Sequence, residues 1–187
     1  MVERQGQLKL CGVEGGVPVD GAPVSDLADL FRGYSGYVAS IAFRMLGRDG
    51  DVDDVVQDVF IDAMSGVAGL RDPGAVKGWL RTVTVRCAGR RLRRRRMLGY
   101  IGLDEAVDYQ KSLSGAMTGE QRVMLGRVYE LLDQMPVKER VAWTLRYMEE
   151  ESLEDVARLC DCSLATAKRR ISAAQSGIER GLSHENG

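Results

Sequence analysis

A single histidine, His184, stands in this 187-residue chain, so the commonest general base and metal ligand is almost absent. The 22 glycines are scattered, and none forms a loop that could cradle a phosphate. Without a nucleophile–base pattern, a metal cluster or a phosphate loop, no common catalytic constellation can be assembled, and no cofactor is expected. The four cysteines, Cys11, Cys87, Cys160 and Cys162, follow no disulfide spacing. Cys160 and Cys162 stand closer together than the roughly two-to-four-residue spacing of zinc ligands, so core or turn thiols are expected, with no metal. Aromatic residues make up only 6%, which leaves the cores to aliphatic and small side chains. No apolar run approaches the ~20 residues of a membrane span. The opening "MVERQGQLKLCGVEGG" carries acidic residues and no continuous apolar segment, which excludes a secretory signal and favours a cytoplasmic location.

An excess of either charge is also missing: the formal net charge is -1 and the pI about 5.9. Yet the charges are segregated. Between Arg86 and Arg96 the stretch "RCAGRRLRRRR" holds seven arginines in eleven positions. Upstream, "DGDVDDVVQDVFIDAM" sets Asp51, Asp54, Asp58 and Asp62 opposite an apolar stripe of Val52, Val55, Val56, Val59, Phe60 and Ala63. One chain with an acidic face and a basic block suits partners of opposite sign.

The periodicity is helical throughout. Residues 1–24 lack it and read as a loose leader. From Ser25, a candidate N-cap, Leu27, Leu30, Phe31, Tyr34, Val38, Ile41, Ala42 and Met45 recur at steps of three and four, until Gly47 stops the helix. The acidic helix follows, then a loop, "SGVAGLRDPG", and a helix with Val76, Trp79, Leu80, Val83 and Cys87 on one side, which the arginines continue. Residues 98–121 show no clear stripe and read as a linker with one short helical turn. Four more helices complete the chain: Leu125, Val128, Leu131 and Leu132 mark the first, and Pro136 suits the first position of the second. No strand survives. The expected fold is all-α, two small helical domains at 25–97 and 122–183 joined by a flexible linker, with 184–187 as a tail.

The last two helices carry the sharpest signal. Ser152 caps "SLEDVARLC", with Asp155 in the place of the capping-box acid, and Ser163 caps "SLATAKRRISAAQSGIERGL". About three residues separate them, the spacing of a helix-turn-helix, whose second helix enters the DNA major groove. A buried stripe of Leu164, Ala167, Ile171, Ala174 and Ile178 leaves Ala165, Thr166, Lys168, Arg169, Ser172 and Ala173 facing outward. The small residues permit close approach, Lys168 and Arg169 suit guanine edges or phosphates, and Arg170 suits the DNA backbone.

Taken together, these segments resemble an extracytoplasmic-function sigma factor of the sigma-70 family. "LFRGYSGYVASIAFRMLGRDGDVDDVVQDVFIDAM" and "GWLRTVTVRCAGRRLRRRR" are similar to its region two, and "LLDQMPVKERVAWTLRYMEEESLEDVARLCDCSLATAKRRISAA" to its region four. The resemblance covers roughly residues 25–97 and 122–182. It implies a promoter-recognition subunit of bacterial RNA polymerase. Asp54, Gln57 and Asp58 would meet the clamp of the largest polymerase subunit. Trp79, Arg86, Arg90, Arg91, Arg93 and Arg94 would serve at the −10 element. Thr166, Lys168, Arg169, Arg170, Ser172 and Ala173 would serve at the −35 element. It also implies an anti-sigma factor as a further partner. Many members carry asparagine where Arg86 stands and glycine where Ala165 stands. The loop expected to capture an unstacked base, Ser65 to Lys77, has no aromatic residue.

Geometry allows this arrangement. Promoter elements about 17 base pairs apart lie roughly 55–60 Å from each other, and residues 97–121 fully extended reach about 80 Å. Two other readings compete. A stand-alone helix-turn-helix regulator would be a dimer on two half-sites, but no heptads or dimer helix are visible. An adaptor that binds only protein would have no use for Lys168 and Arg169.

Overall fold

The structure, a computed structural model, describes residues 27–66, 75–100, 109 and 117–183, and the leader with Ser25, the loop 67–74 and the tail lie outside them. Seven α-helices follow one another in those residues, with no strand: α1 Leu27–Leu46, α2 Val52–Gly66, α3 Ala75–Tyr100, α4 Gly119–Gln134, α5 Val137–Tyr147, α6 Leu153–Leu159 and α7 Leu164–Ser183. The all-α expectation holds. A single 3₁₀ turn, Asp49–Asp51, leads into α2.

The first three helices form a bundle. Leu30, Val38, Ile41 and Met45 of α1, Val55 and Val59 of α2, and Leu80, Cys87 and Ala88 of α3 are its almost wholly buried centre. Each such aliphatic side chain contributes about 1.5–3 kcal/mol on burial, which offsets the modest helix propensity of the valines. Two members of the expected stripes escape it: Phe31 is 47% exposed and Trp79 only half-buried. Asp51 departs in the other direction. Instead of joining the outward acidic face it is 2% exposed, because the 3₁₀ turn points it inward at the arginines of α3.

Helices α4 to α7 form the second lobe. Its first helix starts earlier than the apolar stripe suggests, at Gly119, because Thr118 and Gln121 make a reciprocal capping box. Pro136 is the N-cap of α5 rather than its first residue. At the other edge of the expected linker, α3 runs on to Tyr100.

The two lobes are docked. Val85, Ala88 and Leu92 of α3 and Val141, Leu145 and Leu159 of the second lobe belong to one continuous apolar core. At its rim, Tyr129 of α4 and Arg140 of α5 reach the end of α1: the Tyr129 hydroxyl donates to the Arg44 carbonyl at 2.8 Å, and Arg140 donates to the carbonyls of Met45 at 3.1 Å and Leu46 at 2.9 Å. Gly47 turns the chain there with φ +76°, and a side chain at that position would strike the Tyr129 ring. Tyr109, from the segment read as linker, is 2% exposed and stacks on Tyr129 with ring centroids 5.3 Å apart.

Candidate nucleic-acid interface

The helix-turn-helix is built as its caps dictate. The Ser152 hydroxyl accepts the Asp155 amide at 3.0 Å and donates to the Asp155 carboxylate at 2.7 Å. After α6, Asp161 takes a left-handed φ of 48°, which short polar side chains tolerate, and the Cys162 amide closes back on the Ala157 carbonyl at 2.9 Å. Cys160 and Cys162 are therefore turn residues, and burial pushes the Cys160 thiol up to about 11. Ser163 then accepts the Thr166 amide at 3.2 Å and starts α7.

On α7, Ala167, Ile171, Ala174 and Ile178 are buried against the lobe, whereas Leu164, expected in that stripe, is 37% exposed at the helix start. Ala165, Lys168, Arg169, Ser172 and Ala173 are exposed on the opposite side. Thr166 is half-buried, its hydroxyl 2.9 Å from that of Ser163. Arg170 is half-buried too and lines a cleft facing α3.

The arginine block on α3 divides into two kinds. Arg86, Arg93 and Arg94 are exposed. Arg90 is exposed but pairs with Asp62 at 2.9 Å. Arg91 pairs with Asp51 at 2.5 Å and with Asp54 at 2.9 Å. Arg95 is 6% exposed and donates to the Tyr109 hydroxyl at 3.2 Å, and Arg96 donates to the Met135 carbonyl. Four of the seven are thus tied into the protein itself. Burial works against ionisation of Asp51, but hydrogen bonds from Arg91 and Arg48 outweigh it and hold the carboxyl below its ordinary range.

On α2 the side chains of Asp54 and Asp62 are 58% and 45% exposed, and Gln57 and Asp58 are exposed as well. Beside them Phe31, Ile61 and Met64 are 47%, 54% and 63% exposed. Phe31 sits against Phe60 with centroids 4.9 Å apart. Sequence reasoning missed this apolar complement. Phe31 lies in phase with the core stripe in the sequence, yet it stands at the surface. Carboxylates bordering exposed apolar groups make a surface for a protein with a basic, partly apolar face. Among the described residues no helix is long and apolar enough to cross a membrane.

Two lobes with these faces have counterparts. The family model for sigma-70 region 2 matches residues 30–97, and that for sigma-70 region 4 matches residues 125–174. The ECF RNA polymerase sigma-E factor of Escherichia coli is 30% identical over 157 residues, spanning 78% of this chain and 81% of that one. The sigma-E factor of Haemophilus influenzae is 30% identical over 155 residues, with 78% and 82% covered. Among solved structures, the sigma factor RpoE of Bartonella quintana, crystallised with the anti-sigma factor NepR, superposes with a TM-score of 0.61 at 20% identity, over 84% of this chain and 97% of that chain, a likeness of fold. The chain belongs to the extracytoplasmic-function class of sigma-70 RNA polymerase sigma factors. Its function is to direct RNA polymerase to promoters in transcription initiation.

Proposed function

We propose a division of that function among three helices. On α2, Asp54, Gln57 and Asp58 take the clamp of the largest polymerase subunit, with Ile61, Met64 and Phe31 as the apolar part of the contact. Asp54 must exchange its Arg91 partner for one on polymerase, or share it.

On α3, Trp79 and the exposed Arg86, Arg90, Arg93 and Arg94 serve the −10 element. Arginines at these positions neutralise phosphates and fix register without reading bases. Arg91 serves there indirectly, by anchoring α3 to Asp51. On α7, Lys168, Arg169, Ser172 and Ala173 enter the major groove at the −35 element, Thr166 approaches it from the capped end, and Arg170 takes the backbone. The −10 lobe spans residues 25–97 with α3 prolonged to Tyr100, residues 98–121 carry the connection, and the −35 lobe spans 122–183 with its capped start drawn back to Thr118.

The observation that carries this reading is α7 itself, with its small-residue face around Lys168 and Arg169 exposed among the described residues. The protein acts in the cytoplasm as a non-catalytic subunit. An anti-sigma factor, of the kind bound by the Bartonella relative, is its inhibitor.

The test is transcription in vitro with core polymerase over a promoter library, read by sequencing the starts. The expected result is a single shared pair of elements upstream of the starts. Tight binding of the chain to duplex DNA with no specific initiation would favour the stand-alone regulator instead.

A further inference from the structure

Between α3 on one side and α5, α7 and the turn before α7 on the other lies a cleft of about 490 Å³. That size falls within the roughly 300–1,000 Å³ of small-molecule sites and is too small for a duplex. Its floor is apolar, with Val85, Val141 and Leu159 buried there.

The charge of the cleft is one-sided. Arg86, Arg90 and Arg93 line it from α3, Lys138 from α5 and Arg170 from α7, against one carboxylate among the described residues, Asp161. Arg90 is answered by Asp62 at 2.9 Å. Among the described residues, Arg86, Arg93, Lys138 and Arg170 have no ion-pair partner. Arg93 lies back over the cleft wall, where a Cβ added at Gly89 would stand 3.6 Å from its Nη1. Burial pushes the Cys160 thiol up to about 11, so it stays neutral and adds no counter-charge.

Helix α5 begins at the same cleft. Val137 and Lys138 are its first two residues, and Pro136 at the N-cap makes no side-chain hydrogen bond to its amides. A helix start carries free amides and a positive pole, and for its own stability it favours an acidic side chain. Lys138 adds a cation there instead, and Glu139, next in the turn, is not among the residues that line the cleft. Such a start is poor for the helix and good for an anion beside it. Walls of one sign also focus the field and concentrate small counter-ions between them.

We propose that this cleft binds a small polyphosphate anion, a chain of two or more phosphates either free or carried on a nucleoside. Arg86 and Arg93 hold it from one wall, and Lys138, Arg170 and the start of α5 from the other. Guanidinium groups suit phosphate oxygens in pairs, and an ammonium serves as a point charge. Several unmatched cations call for several negative charges on one ligand, which a single phosphate does not supply. The site is built from the cleft alone and does not depend on the assignment of α3 to DNA.

The experiment is calorimetric titration of the full chain, without polymerase or magnesium, at about 0.15 M salt. The probes are inorganic tripolyphosphate, ATP, inorganic phosphate and adenosine. Tripolyphosphate should bind as one anion per chain, inorganic phosphate at least about 10-fold more weakly, and adenosine not at all. ATP binding more tightly than tripolyphosphate would support a nucleotide, its nucleoside on the apolar floor; equal affinities would support the phosphate chain by itself. Lys138→Ala and Arg93→Ala should each weaken tripolyphosphate about 10-fold, whereas Lys138→Arg should hold it. Arg94→Ala, next along α3 but outside the lining, should leave the affinity as it was. Circular dichroism accompanies each variant, and Lys138→Gln or Arg93→Gln replaces one that loses helicity. Absence of tripolyphosphate binding overturns the site. So does an equal loss from Arg93→Ala and Arg94→Ala, which would mark diffuse attraction to a basic surface. Promoter-directed initiation by the holoenzyme is measured separately, so failure of the reading of α3 and failure of this site are told apart.

Discussion

Helices α3 and α7 are both basic and both proposed to meet DNA, yet they hold their charges differently. On α3 the arginines wrap the helix, and Arg90, Arg91, Arg95 and Arg96 are taken by Asp62, Asp51, Asp54, Tyr109 and the Met135 carbonyl. On α7 the charges keep to one side, with Ala167, Ile171, Ala174 and Ile178 on the other. A helix enclosed by neighbours gives its charges to them, whereas a helix at the edge of a lobe keeps them for a ligand. Local density of arginine is therefore a poor measure of what reaches DNA, and the register of charge against the buried stripe is a better one.

The largest effect that sharpens this contrast falls outside both helices. Reversing Asp54 and Asp58 to arginine should weaken holoenzyme assembly by about 100-fold or more in a core-binding titration, since like charges would face a basic partner. Unchanged assembly would place the polymerase contact elsewhere. Next, Lys168→Ala/Arg169→Ala should lower promoter-specific initiation by about 30-fold or more, at about 1–3 kcal/mol for each of the two lost base-edge pairs. Core binding and thermal stability should stay as they were.

On α3 the contrast predicts opposite behaviour from two arginines one helical turn apart. Arg94→Ala, at an exposed position, should leave stability alone and reduce the salt slope of promoter binding by about 1. Arg91→Ala should instead lower stability by about 2–3 kcal/mol, because it strips a partner from the buried Asp51. The same pair sets a dependence on pH. The Asp51 carboxyl lies below its ordinary value in the folded chain, so its contribution is complete above the unfolded value of 3.8 and is lost as the pH falls through the folded one. Asp51→Asn should flatten the acid limb of a denaturation curve. The smallest effect belongs to the turn: Ser152→Ala removes one cap and should cost about 1 kcal/mol by urea denaturation.

Much of this was legible in the chain. The stripes of α1, α2 and α7, the caps at Ser152 and Ser163 and the short turn between α6 and α7 follow from periodicity and capping, which are local. The exposed set on α7 follows from the same phase. What escaped was non-local. Arg48 is a partner of Asp51 close in sequence, but the others that turn it inward, Arg91 and Arg95, lie some forty residues on. Tyr109 sits in a stretch without a stripe, and only the tertiary placement of Arg95, Asp133 and Tyr129 makes it a buried anchor. The docking of the lobes escaped for the same reason: a linker long enough to separate them carries no sign that Arg140 and Tyr129 complete the end of α1.

The separation of tasks between the two basic helices is tested most directly by footprinting the holoenzyme on one promoter, with wild-type subunit and with Lys168→Ala/Arg169→Ala. Protection should disappear over the upstream element and persist at the downstream one, where α3 still holds the DNA. Loss at the downstream element alone, or full protection at both, would contradict the assignment of α7 to upstream recognition.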